Sequence, residues 1–375
     1  MLRFMTAGES HGVCLTAILE GMPAGVPIDG EAINTEMKRR QLGYGRGPRM
    51  KFETDAVQIL SGVRRGKTLG SPIALQILNK DASIDRLPVV TQPRPGHADL
   101  TGAMKYDHRD IRNVLERASA RETTARVAVG AVCRQLLSPL GIELASHVVA
   151  LGSIRAKSAV ATVSMLRRAK VDATPLRCLD AAATKRMVKE IDACVKAGDT
   201  LGGIFEVVAE GVPPGLGSYV HYDRRLDAIL GRAILSIHAV KAVEIGDGIL
   251  GASLAGSKVQ DEIFYTKARG FYRSQNRAGG FEGGMTTGQP VIVRGFLKPL
   301  STLRKPLRSV EINTKKPVVA TVERTDVTTV PAAGVIGEAM IAFELARAVL
   351  EKFGGDSLRE VAHNRQSYLK HVQQF

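Results

Sequence analysis

The chain has no tryptophan, and only 5% of its 375 residues are aromatic. Base stacking needs aromatic platforms, so a single-strand nucleic-acid binder is disfavoured. Its four cysteines, Cys14, Cys133, Cys178 and Cys194, form no C-x-x-C pair and have no histidine at ligand spacing. That argues against a zinc site and a disulfide framework, and fits small buried hydrophobes in a reducing compartment. No apolar run approaches membrane-spanning length, and the opening MLRFMTAGESHG lacks the apolar centre of a signal peptide. A cytoplasmic protein without a membrane partner is expected. Acids are in deficit too: 37 against 52 lysines and arginines, a formal charge of +15. Such an excess attracts anions without choosing among phosphorylated metabolites, nucleic acid and acidic surfaces.

What the sequence does contain includes an internal echo. Gly8-Glu9-Ser10-His11-Gly12 aligns, 190 residues on, with Gly198-Asp199-Thr200-Leu201-Gly202. At the same offset Glu20, Gly21, Pro23 and Gly25 align with Glu210, Gly211, Pro213 and Gly215. Gly66-x-Thr68-x-Gly70-x-Pro72 recurs as Gly284-x-Thr286-x-Gly288-x-Pro290, each before an apolar strand. Two related halves, about 1–137 and 191–350, are inferred, with 138–190 inserted between them. His11 becomes Leu201 in the second copy while the glycines persist, so the turn is scaffold and the histidine an addition.

Apolar residues at helical spacing predict helices over 29–40, 223–240 and 331–353, the last opening at a proline and stopping at Gly354-Gly355. Strands followed by helices, in two copies, indicate an α+β layered fold within one domain.

Arginine is dense between Arg94 and Arg126. Ser119-Ala-Arg-Glu122 reads as a capping box, which predicts a helix start near residue 119. Arg121 and Arg126 oppose the positive end of an empty helix, so a bound anion would reconcile them; a solvated face compensated by Glu122 is the alternative. A second basic run, Lys38 to Lys51, holds no acid and is interleaved by Gly43, Gly45 and Gly47. It could close over an anionic substrate or touch a nucleic-acid backbone, and charge does not choose.

Three short motifs compete. Gly8-x-Ser10-x-Gly12 fits a hydrolase elbow but lacks the preceding central strand and the following helix. Gly246-x-Gly248-x-x-Gly251 fits a dinucleotide turn, but the segment after it makes a poor helix. His97 sits in a Pro/Gly loop, Arg94-Pro-Gly-His-Ala-Asp99. Alone it reads as exposed; together with His11, the two could hand protons to different groups in one reaction.

GESHG at 8–12, RRQLGYGRG at 39–47, RPGHAD at 94–99, RASARETTARVAVGA at 117–131, RAGGFEGGMTTGQP at 277–290 and ERTD at 323–326 together resemble the chorismate synthase family. The blocks keep the family's order over most of the chain. The resemblance implies a lyase that eliminates phosphate, anti-1,4, from 5-enolpyruvylshikimate 3-phosphate. This is the last common step of the shikimate pathway to the aromatic amino acids. It implies reduced FMN as cofactor, helices sandwiched between antiparallel sheets, and a homotetramer. His11 would protonate the departing phosphate, and His97 would protonate or neutralise the flavin. Asp326 would assist proton removal, with Ser10 and Ser119 supporting the proton network. Arg40, Arg46, Arg49, Arg94 and Arg121 would hold the substrate's anionic groups, on the side that also concerns NADP. FMN contacts would come from Arg117, Ala118 and Ser119, from His238, Ala239 and Gly283, from Lys298, Pro299, Leu300, Ser301 and Thr302, and from Arg324. His238 departs from the amide that many members carry. Some members reduce the flavin with NADPH themselves; without a convincing nicotinamide unit, an outside reductant, such as a separate flavin reductase, is expected. No nucleic acid and no metal enter this reading.

Overall fold

The structure is a computed structural model that describes residues 1–47, 54–157, 161–323 and 326–375. Strands β1 (Arg3–Ala7) and β2 (Cys14–Glu20) form a hairpin. In β2, Leu15, Ala17 and Leu19 alternate inward, as one-sided burial of a strand requires. Helix α1 (Gly30–Gln41) follows, capped by Asp29 and ending in Lys38, Arg39 and Arg40, where cations suit the helix dipole. After β3 (Val57–Ile59) and β4 (Ile73–Leu78), helix α2 (Asp99–Tyr106) leads towards α3 (Thr123–Leu137).

The rest of the chain runs through β5 (Glu143–Leu151), α4 (Ala181–Ala197), β6 (Gly203–Glu210), α5 (Leu226–Leu235), β7 (Val240–Ile245), β8 (Val291–Leu297), α6 (Val330–Phe353) and α7 (Leu358–Gln374). The fold is therefore mixed α+β, and the three helices expected near 29–40, 223–240 and 331–353 form with shifted ends.

One sheet has the order β1-β2-β4-β3; the other, read from its first strand, has the order β5-β6-β8-β7, with Ile154–Arg155 added outside β5. Every pair is antiparallel. The strand β5 thus occupies, in its sheet, the position that β1 occupies in the other, although it falls inside the segment 138–190. Helix α3 packs on β1, β2 and β4, helix α6 packs on β5 and β6, and the two helices pack against each other. Their approach depends on Gly130: a Cβ there would lie 2.3 Å from Ala339 Cβ.

The echoed glycine and threonine positions make matching bonds. Thr68 Oγ1 donates to the Pro23 carbonyl at 2.5 Å and accepts from the Val26 amide at 2.9 Å. Thr286 Oγ1 donates to the Pro213 carbonyl at 2.7 Å and accepts from the Leu216 amide at 2.8 Å. The Gly25 and Gly215 amides donate to the carbonyls of Thr68 and Thr286 at 2.9 and 2.8 Å.

Valine matches threonine in shape but lacks the hydroxyl, so Thr68→Val and Thr286→Val each strip two partners from buried backbone groups. Each substitution should lower the unfolding free energy by about 1–3 kcal/mol, and by similar amounts, in urea titrations. A variant as stable as the parent would show that its hydroxyl does not hold the turn.

Candidate active site

The turn Gly8–Gly12 between β1 and β2 carries His11. Gly8 has φ +107°, and a Cβ there would lie 2.3 Å from the Cys14 carbonyl oxygen, so the hairpin closes on glycine. Arg117 locks the turn by donating to the carbonyls of Gly8 and Thr6 at 3.0 and 2.9 Å. The His11 backbone amide donates to Glu116 Oε2 at 2.8 Å, and its ring Nδ1 lies 2.9 Å from the same oxygen. Its Nε2 faces Asp81 Oδ2 at 3.9 Å. Ser10, next to it, is buried and accepts from Ser119 Oγ at 3.2 Å. No helix follows this Ser10 turn; β2 does, so the arrangement is not a hydrolase elbow.

Ser119 caps a single turn, Ala120–Glu122, by accepting from the Arg121 amide at 3.3 Å, and α3 begins only at Thr123. The expected capping box is not formed. Glu122 instead accepts from Thr6 Oγ1 at 2.7 Å and from Arg126 Nε at 2.8 Å, which compensates Arg126 locally.

Arg121 turns the other way, into an arginine cluster. Arg40 and Arg121 are both buried, and the Asp55 carboxylate lies between them. Arg121 Nη1 donates to Asp55 Oδ1 at 2.5 Å and its Nε to Asn79 Oδ1 at 2.9 Å. Arg40 donates from Nε to Thr123 Oγ1 at 2.9 Å and from Nη2 to the Ala120 carbonyl at 3.0 Å. Its Nη1 is buried without a hydrogen-bond partner among the described residues. Burial pushes the Arg40 guanidinium down to about 9, and Arg46 and Arg121 press in the same direction. Arg46 Nη1 meets Asp326 Oδ2 at 3.0 Å, and the other Asp326 oxygen accepts from the Gly47 amide. A buried guanidinium with a spare donor beside two others can accept an anion.

A third group forms around His97. Its Nδ1 lies 2.5 Å from Asp99 Oδ1. Arg94, expected to hold the substrate, is largely engaged here: Nε donates to Asp99 Oδ2 at 2.8 Å and Nη1 to Thr302 Oγ1 at 2.8 Å. Burial raises the Asp99 carboxyl, but hydrogen bonds from His97 and Arg94 outweigh it and hold the group well below the usual range. Lys298 Nζ and Ser301 Oγ both donate to the Gly96 carbonyl, so the 298–302 loop lies against the histidine loop. The Leu300 carbonyl accepts from Thr200 Oγ1 at 2.8 Å, and the Lys298 amide donates to the carbonyl of Ala239 at 3.0 Å. Pro299 lies against Gly202. Ala118 sits one residue from the Ser119 cap, its amide bonded to the Val114 carbonyl.

A family model described as chorismate synthase matches residues 2–350. The chain belongs to the chorismate synthase family. It is 55% identical to a chorismate synthase of Symbiobacterium thermophilum, with 99% of each chain covered, and 54% identical, over the whole of both chains, to one of Solibacter usitatus. A crystal structure titled chorismate synthase superposes with a TM-score of 0.83 at 45% identity, covering 100% of this chain and 99% of that one. The chain is accordingly an enzyme of the lyase class, forming chorismate in the shikimate pathway.

Not every residue expected in a chorismate synthase site converges. Gly283 lies in the turn between strands Phe281–Glu282 and Met285–Thr286, near Tyr219. The neighbouring Gly284 carbonyl accepts from the Leu226 amide at the start of α5, whereas His238 and Ala239 follow the end of that helix. The ten residues of α5, a rise of about 15 Å, run from the Gly284 contact towards His238. Arg49 and Arg324 lie outside the described residues. In the 246–251 motif, Gly248–Gly251 is a single helical turn, and Gly246 is glycine because a Cβ would lie 2.2 Å from the Arg277 carbonyl oxygen. No described helix is long and apolar enough to cross a membrane.

Sequence reasoning missed Asp55, Asn79, Glu116 and Arg112. Glu116 stands directly before the RASARETTARVAVGA block and could have been included with it. Asp55 and Asn79 carry no local signature; only the fold brings them to Arg121.

His238 supplies a pH test. Burial lowers its imidazole from 6.5 to about 4, with Arg126, His97 and Arg40 adding and Glu122 opposing, and its Nδ1 is buried without a hydrogen-bond partner among the described residues. The unfolded chain therefore binds this proton first as pH falls. Stability should drop between about pH 6.5 and pH 4 and level off below, by up to roughly 3 kcal/mol. His238→Gln should remove that part of the slope when urea unfolding is compared at pH 7 and pH 4.5. An unchanged slope would mean that the ring is not kept neutral by the fold.

Proposed function

We propose that the arginine cluster binds the phosphate and carboxylates of 5-enolpyruvylshikimate 3-phosphate, and that this chain eliminates the phosphate with reduced FMN bound alongside. The observation that carries the reading is Arg40 Nη1, a buried donor 3.9 Å from Asp55 and without a hydrogen-bond partner among the described residues, beside Arg46 and Arg121. For the flavin, the support is the contact of Lys298 with Ala239 and of Lys298 and Ser301 with the His97 loop, next to His238, whose buried Nδ1 has no hydrogen-bond partner among the described residues. Reduced FMN, when bound, supplies electron density to the reaction without net redox change.

The elimination breaks a carbon–oxygen bond, with the electron pair leaving on phosphate, removes a ring proton and forms a second ring double bond. Here His11 holds the proton for the departing phosphate, whose charge Arg40, Arg46 and Arg121 offset. Asp326 is a carboxylate held beside Arg46, in place to accept a proton. Ser10 and Ser119 are hydrogen-bonded to each other next to His11, and His97 holds a proton at the flavin side. Arg94 serves by fixing His97 and Thr302.

We also read the two halves as copies of one unit, with helices held between two antiparallel sheets. The support is the shared strand order and the matched Thr68 and Thr286 bonds. On this reading the second copy begins at β5, and the long stretch between β5 and β6 replaces the short His11 turn. A homotetramer and an outside flavin reductant complete the proposal.

The test is anaerobic chorismate formation and phosphate release from 5-enolpyruvylshikimate 3-phosphate. Turnover is expected with FMN reduced by dithionite and none with oxidised FMN. Turnover without any flavin would sink the cofactor assignment. His11→Ala and His97→Ala should each cut kcat about 100-fold or more while the chain stays folded, the scale on which general acids act. A variant that kept the parent rate would remove its histidine from the proton path.

A further inference from the structure

The two histidines stand in the same setting although they come from unrelated stretches of sequence. Behind His11 Nδ1 lies Glu116, and behind Glu116 lies Arg112, whose Nη1 donates to Glu116 Oε1 at 3.2 Å. Behind His97 Nδ1 lies Asp99, and behind Asp99 lies Arg94. Both carboxylate side chains are fully buried. Burial raises Glu116, but His11 and Arg112 outweigh it, so its carboxyl also stays below the usual range. An ionised carboxylate only accepts hydrogen bonds. An Nδ1 bonded to such an oxygen is the protonated one; Arg94 Nη2, 3.1 Å from His97 Nδ1, can donate to Asp99 Oδ1 at 3.1 Å instead, and each ring then turns its Nε2 away from the carboxylate.

Arg112 is itself anchored, donating from Nε to the Pro88 carbonyl at 2.7 Å and from Nη2 to Glu323 Oε1 at 3.3 Å. Glu116 also receives the His11 backbone amide, so it holds the ring and the turn that bears it.

We propose that Glu116 and Asp99 are the positioning residues of His11 and His97, each fixing its ring as the Nδ1–H form within an arginine–carboxylate–histidine unit. In the elimination, the Nε2–H bond of the doubly protonated His11 breaks and an O–H bond forms on the leaving phosphate. The ring is left neutral, with its remaining proton on Nδ1 and accepted by Glu116. The inference rests on the proposed role of His11, and the test separates the two.

Glu116→Gln keeps the size but places an amide N–H where two or three donors now point. With ¹⁵N-histidine-labelled full-length protein, the parent's neutral His11 ring should give the Nδ1–H signature, and Glu116→Gln should shift population to the Nε2–H form. Its kcat should fall 10- to 100-fold with KM changed less than about threefold. Glu116→Asp, which restores the charge, should recover part of kcat. Asp99→Asn should act likewise on the His97 signal. If His11→Ala is inactive while Glu116→Gln keeps the parent kcat and ring signature, the positioning role is overturned and the His11 reading stands. If His11→Ala keeps the parent rate, the His11 reading itself has failed. A Glu116→Gln chain that loses kcat with an unaltered ring signature also overturns the proposal, because the loss would not pass through the tautomer.

Discussion

One buried carboxylate organises much of the centre of this molecule. Glu338, in the middle of α6, is fully buried and accepts from Arg39 of α1, Arg134 of α3, Arg177 and Ser146. Burial alone would raise its carboxyl; the three guanidinium groups hold it far below the ordinary range. Opposite charges in a dry interior need geometry this complete, because each unpaired member would carry its full desolvation cost. Arg39 fixes the last turn of α1, and the next residue, Arg40, points from that turn into the anion cluster. The position of Arg40 is thus set by a charge network held by its neighbour on the same helix turn.

The turns recur while the chemistry does not. Thr68 and Thr286 make matching bonds to two turns, and the two larger sheets share one order of four strands. Yet the first turn carries His11 where the second carries Leu201, whose amide instead bonds the Val327 carbonyl. The starts of α3 and α6 approach the same region: Thr123 binds Arg40, and the segment before Val330 binds Arg46 and Gly47 through Asp326. Two helix starts favour negative charge there, on top of the arginines. The fold brings both helix starts to the arginines, while the first of the two turns alone carries a histidine.

How much of this was legible follows from range. The glycine and threonine echoes were readable because a positive φ or a turn-closing hydroxyl leaves few residue choices. The core helices were readable from their periodicity. The equivalence of β5 and β1 was not, because ELASHVVAL and RFMTA share only the ability to lie in a sheet. The capping box at Ser119 was half right: the serine caps, but Glu122 is drawn to Thr6 and Arg126 by contacts that no local pattern encodes. Asp55 and Asn79 were invisible for the same reason, since their partner Arg121 lies 66 and 42 residues away.

The net charge of +15 also finds its meaning only in three dimensions. A nucleic-acid surface needs cations in solvent, where they can displace counterions along a backbone. Three of the arginines that the sequence singled out are instead withdrawn: Arg40, Arg94 and Arg121 are each 8% exposed or less. Side chains so withdrawn do not present a polymer backbone with the solvated cations it needs. Burial also makes their charge count for more, since solvent no longer screens it. Guanidinium groups withdrawn in this way and held by Asp55 and Asp99 suit a small anion better than a polymer, which is the sense in which the cluster of Arg40, Arg46 and Arg121 supports the function proposed above.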